Sequence, residues 1–195
     1  SVPNPGSYFR LARQFEAGQS DLMTAWAASP YSHTKPNPTK KSGRAIAPDS
    51  SDRSTPRARA RVGARYVLRA DVSQFYPSIY THSVPWVLHT KAKAKASIKD
   101  LSLLGNRLDR ELQGCHNGQT KGISIGPDTS LGIAELLLAD IDRRLDSECR
   151  IKGGTRFIDD IELTFERLSD AETALASLER LLAEVELQLN AAKTR

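Results

Sequence analysis

A chain of 195 residues, 39% hydrophobic and 26% charged, has the make-up of a soluble globular protein of one domain or two small ones. No apolar run approaches the ~20 residues of a membrane span and no signal-peptide pattern opens the chain, so a cytoplasmic protein without a membrane partner is expected. The net charge of +5 hides an asymmetry: residues 33–69 carry ten Lys/Arg against Asp49 and Asp52, and residues 157–195 carry nine acids against four bases. Such a division suits a polyanion held by one part and metal held by the other, or merely a charged soluble surface. Cys115 and Cys149 lack a CxxC partner, which argues against a disulfide framework and a zinc site and fits a reducing compartment.

In chain order, residues 7–28 show a rough apolar face through Phe9, Leu11, Phe15, Leu22 and Trp26 and predict a helix, weakened at Gly18. Residues 29–62 read as irregular and basic, with five prolines. Within them Lys40 to Pro48 looks like a turn between two short strands. Arg57, Arg59, Arg61 and Arg65 alternate as if lining one side of an extended segment, either for phosphate contact through their planar forks or as a solvated loop. Residues 65–72 are the strongest strand and end on Asp71; an aromatic turn from Ser73 to Ile79 follows, where Pro77 is expected to stop regular structure. Helices are expected over 82–90 and 97–112, separated by the alternating Lys91–Ala96 segment, read as a solvated face or a backbone-binding one. Cys115-His116 has no partner at ligand spacing and reads as structural. A glycine-rich loop over 118–130, not a Walker A loop, feeds an amphipathic helix from Leu131 to about Leu145 with Ile133, Leu136, Leu137, Ala139 and Ile141 inward; Asp128 or Thr129 can cap it. A last helix is expected over 169–188 with Ser169 as its N-cap.

Between those two helices lies Arg156-Phe157-Ile158-Asp159-Asp160-Ile161-Glu162-Leu163, an apolar run cut by two adjacent carboxylates. It reads as a strand, a tight turn carrying Asp159 and Asp160, and a return strand through Leu163 and Phe165. Two acids about 4 Å apart repel by roughly 4 kcal/mol at an effective dielectric of ~20, so the turn is either solvated or a cation site.

The ordered set of a strand ending at Asp71, a Gly loop with its helix, the Asp159-Asp160 hairpin and a terminal Lys193 resembles the palm of a reverse transcriptase. Asp71-Val-Ser-Gln-Phe-Tyr-Pro-Ser-Ile looks like the first palm motif, Gly122-Ile-Ser-Ile-Gly-Pro-Asp-Thr-Ser the second, Phe157-Ile-Asp159-Asp160 the third and Leu189-Asn190-Ala-Ala-Lys193-Thr194 the fourth. The wording Phe75-Tyr76-Pro77-Ser78-Ile79-Tyr80-Thr81-His82-Ser83, with Gly126-Pro127-Asp128-Thr129-Ser130, is most similar to bacterial defence-associated, abortive-infection-type members.

The resemblance implies an α+β fold: an antiparallel palm sheet backed by helices over residues 66–195, a small basic fingers region over 1–65, and a thumb that would lie further on. Processive synthesis by this stretch alone is therefore not expected. It implies RNA-directed DNA polymerase activity on an RNA template, a DNA or other primer and dNTPs, with a further subunit among the candidate partners and a role in antiviral defence. Two Mg²⁺ ions, with Mn²⁺ as a substitute, are implied as cofactors, held by Asp71, Asp159, Asp160 and the Val72 carbonyl. For the nucleotide it implies Tyr76 under the sugar, where it would clash with a 2′-hydroxyl, together with Phe75, Gly126 and Lys193, and Lys41 and Arg44 from a fingers hairpin. Arg57, Arg59 and Arg61 are the expected nucleic-acid contacts, and Arg57 and Arg59 compete for the triphosphate role. The second motif departs from the common Pro-Gln-Gly by reading Ser124-Ile125-Gly126, which removes a polar nucleotide contact. The rivals are an RNA-dependent RNA polymerase, against which Tyr76 speaks, a nucleotide cyclase palm hinted at by Gly153-Gly154, and a nucleic-acid-binding module on an inactive polymerase fold.

Overall fold

Asn4 accepts a hydrogen bond from the Ser7 N–H at 3.1 Å and Pro5 takes the first helical position, so helix α1 (Pro5–Ala17) starts with a cap and a preset φ. The computed structural model describes residues 2–38, the backbone of 47–48, and 52–195. The single helix expected over 7–28 is two: α1 ends at Gly18 and α2 (Gln19–Ala27) follows. A Cβ on Gly18 would lie 2.5 Å from the Leu104 side chain, so the close approach at the break requires glycine.

The two short strands expected around residues 40–48 are present as an antiparallel pair, β1 (Pro36–Asn37) and β2 (Ala47–Pro48). The candidates Lys41 and Arg44 lie outside the described residues. The extended reading of the arginine run is corrected: Ser54–Ala60 is a helix, α3. Asp52 accepts from the Ser54 and Thr55 N–H groups and Pro56 sits in the first turn, a helix start that outweighs the two-residue alternation. Arg57 and Arg61 then share one face, and Arg59 points elsewhere.

Strand β3 (Tyr66–Asp71) is followed by a single helical turn, α4 (Phe75–Ser78). Pro77 therefore lies inside regular structure, in a first turn where its missing N–H is harmless. Helices α5 (Ser83–His89), α6 (Lys91–Ala96) and α7 (Leu104–Cys115) come next, and α7 packs along α1. Helix α8 (Asp128–Glu148) runs through the centre and is buried nearly all round, not on one stripe, because α2, α5 and α9 cover different sides. Pro127, not Asp128 or Thr129, takes its N-cap position. Strands β4 (Gly153–Phe157) and β5 (Asp160–Phe165) form the expected hairpin, with the turn at Ile158 and Asp159, and with Asp160 already paired in β5. Helix α9 (Leu168–Glu184) begins after Arg167 in place of Ser169.

The sheet order is β3-β5-β4, all antiparallel. Leu68, Ala70, Ile161 and Leu163 turn to the helices and are buried, while Arg69, Asp71, Asp160 and Glu162 share the opposite face. The segment 29–34 runs beside β4, with Ser32 bridged parallel to Arg156, and the hydroxyls of Ser29 and Ser32 donate to Asp142 and Glu135 of α8. The mixture of helices with a small antiparallel sheet of three strands agrees with an α+β palm-like fold. No helix among the described residues is long and apolar enough to cross a membrane.

Candidate active site

Asp71 ends β3 and Asp160 opens β5, and the two are direct register partners across the ladder. Asp159 stands in the two-residue turn between β4 and β5. Its pKa is raised by burial, and the charges of Asp71 and Asp160 push it further up while Lys193 pulls it down. The three sequence-derived acids therefore share one electrostatic neighbourhood.

Protein cations already occupy two of them. Lys193 Nζ lies 3.1 Å from both carboxylate oxygens of Asp71, and Arg57 Nη2 donates to Asp160 Oδ2 at 2.5 Å. The Lys193 placement comes from the chain end folding back: the Asn190 N–H donates to the Asp71 carbonyl at 2.7 Å, and Arg195 exchanges backbone bonds with Arg69. Val72 is buried and bridged to Leu189. With Arg57 and Lys193 turned onto the acids, no group of three or more His, Cys, Asp or Glu side chains among the described residues is gathered to hold a metal ion. The donors themselves are hard carboxylate oxygens that already accept cations, a chemistry that fits Mg²⁺.

Glu162 is a fourth acid that the sequence reading missed; its signal was the two-residue alternation that sets it on the face of Asp160. Burial pushes its carboxyl up, but Arg61, bonded through two nitrogens at 2.6 Å each, with Arg69 and Arg57, holds it below its ordinary value. Arg57 also lies over the Phe157 ring, 5.5 Å from its centroid, and His33 stacks on that ring at 5.3 Å. Arg57, Arg69, Lys193 and Arg195 line a cavity of about 340 Å³ with Asp71, Asp160 and Glu162. Its mixed lining, with one more cation than acid, suits a polyphosphate.

Tyr76 is half-buried beside these groups, its hydroxyl pushed up to about 12 by burial and by the charges of Asp159 and Glu135. Phe75 is in the core, 3% exposed, with its ring 5.3 Å from that of Tyr76. The glycine loop is tied to this turn, since the Ile123 N–H donates to the Tyr76 carbonyl at 3.0 Å and the Gly122 N–H to Ile79 at 2.8 Å. Gly126 has φ +113° with open space around it, a conformation that excludes most side chains, but it does not line the cavity. Arg59 lines a different opening with His33, Pro56 and Lys152.

No curated protein is matched by the chain. The family model described as reverse transcriptase (RNA-dependent DNA polymerase) matches residues 23–195, and the chain belongs to that family.

Proposed function

We propose that the cavity beside Asp71, Asp159 and Asp160 is the polymerising site for templated transfer of deoxynucleotides. The observation that carries this reading is the register pairing of Asp71 with Asp160 and the placement of Asp159 in the adjoining turn. Asp71, Asp159 and Asp160, with the Val72 carbonyl, would hold divalent ions, which when bound supply charge neutralisation at the attacking and leaving oxygens. The chain's own residues do the rest. Lys193 and Arg57 exchange a carboxylate for the phosphates of the incoming nucleotide, which concentrates cations where pyrophosphate charge develops. Tyr76 walls the sugar side and disfavours a 2′-hydroxyl. The Gly122–Ser130 loop borders the nucleotide and template. Residues 1–65 act as the fingers portion and 66–195 as the palm.

The test uses a DNA primer on an RNA template, Mg²⁺, and dNTPs or NTPs in separate reactions. dNTP incorporation that Asp159→Asn abolishes supports the reading, and preferential NTP use would mark an RNA polymerase. Salt-sensitive RNA binding without incorporation on any primed template would mark an inactive fold and overturn it. The Phe75–Ser83 wording supports a defence role, which sequencing of DNA made in cells during phage challenge, against the Asp159→Asn variant, would check.

A further inference from the structure

Ile158 immediately precedes Asp159 and has φ +57°. A β-branched residue enters that left-handed region only under constraint, and such strain persists where the surroundings over-determine it. Both backbone polar groups of Ile158 are captured. Its N–H donates to Thr34 Oγ1 at 3.0 Å, and its carbonyl accepts from Arg156 Nη1 at 2.9 Å.

Neither captor is free to turn. Arg156 is fully buried, with Nε on Asp142 at 2.7 Å and its two terminal nitrogens on Glu135 at 3.0 and 2.9 Å. The Thr34 hydroxyl donates to the same Glu135 at 2.6 Å. Burying two carboxylates around one guanidinium is a costly way to gain stability, since an apolar cluster of equal volume does as well or better. What an apolar cluster could not do is direct one donor and one acceptor at the two backbone groups of a single residue. That residue is the one before Asp159.

We infer that Arg156, Glu135 and Thr34 form a positioning frame that sets the Ile158–Asp159 turn and thereby the direction of the Asp159 carboxylate. The frame joins α8, β4 and the segment before β1, three separate stretches of chain, to one turn. The inference rests on the polymerase reading of Asp159, and its test separates the two.

Removing Arg156 would strand two buried carboxylates and endanger folding, so Thr34 is the place to probe. The full chain carries Thr34→Val, which keeps the shape and loses the hydroxyl, or Thr34→Ser, which keeps the hydroxyl. Amide exchange at Ile158 is followed by NMR, and kcat and KM are measured on a primed RNA template well below each variant's melting midpoint. In Thr34→Val the Ile158 amide is expected to exchange at least about tenfold faster. Its kcat falls about ten- to a hundredfold while KM for primer–template stays within about twofold, and Thr34→Ser keeps both near wild type. Unchanged exchange in Thr34→Val overturns the frame. Faster exchange with unchanged kcat overturns the positioning role, and so does equal loss in Thr34→Ser. If wild type itself incorporates nothing, the polymerase reading fails and Ile158 exchange alone decides whether the frame sets the turn.

Discussion

Arg61→Ala isolates the one acid of the site that the fold keeps permanently neutralised. Glu162 is 1% exposed. Arg61 gives it two bonds of 2.6 Å, while Arg69 contributes one at 3.2 Å. Breaking a buried pair costs about 3–5 kcal/mol when the surviving charge has no other partner. Here Arg69 remains and the Arg61 side chain is 40% exposed, which lowers the expected loss to about 1.5–3 kcal/mol. For a chain of this size the melting midpoint should fall by about 3–10 °C.

The pH dependence carries the sharper test. In wild type the folded-state pKa of Glu162 is depressed, so its stabilising contribution is full above the unfolded pKa and is lost as pH falls through the folded one. Without Arg61, burial dominates and the folded pKa rises. The charge then opposes folding at neutral pH, and protonation relieves it in acid. Urea unfolding at about pH 7 and about pH 4.5 should therefore show a gap between wild type and Arg61→Ala that narrows in acid. A gap below about 0.5 kcal/mol at neutral pH, or one that does not change with pH, would refute this account of the arginine–glutamate pair.

Asp159→Asn should abolish incorporation yet raise the melting midpoint by about 1–3 °C, because burial and two like charges oppose ionisation there. Mg²⁺ should raise the midpoint of wild type but not of that variant, as read by calorimetry with and without the ion. Tyr76→Ala should relax the preference for dNTP over NTP by about 10–100-fold in competition assays, since the ring wall at the sugar is removed. Gly18→Ala should lose about 1–3 kcal/mol in urea unfolding, because the added methyl would sit 2.5 Å from Leu104.

Local pattern was enough for the elements with strong periodicity. The strand ending on Asp71, the Asp159-Asp160 hairpin and the helix after the glycine loop all stand where the apolar spacing puts them. The arginine run misled because spacing by two also contains spacing by four, and Asp52 with Pro56 was the helix signal that should have decided between them. Arg156 was read as the head of an apolar strand, since nothing local shows that a strand arginine is buried against a helix 14 to 21 residues earlier. The weakness at Gly18 was legible locally, but its close approach to Leu104 was not. Glu162 was legible by alternation alone, but its pairing with Arg61 spans 101 residues.

The pairings divide the cations of the site by what they can release. The Arg57–Asp160 pair joins a partly exposed arginine to a carboxylate that is 42% exposed, and Lys193 is 62% exposed where it meets Asp71. Exposed pairs of this kind are worth about 0–1 kcal/mol, so a polyphosphate can take either cation at little cost. Arg61 is bound to a carboxylate that is 2% exposed and would leave it stranded. Two arginines four residues apart, Arg57 on α3 and Arg61 at its C-cap, should therefore separate cleanly. Arg57→Ala is expected to raise KM for nucleotide by about tenfold or more while stability stays within about 1 kcal/mol. Arg61→Ala is expected to lower stability and leave KM near wild type at temperatures where it is folded. Equal effects of the two substitutions on both quantities would show that α3 acts as one charged surface, without a releasable and a fixed member.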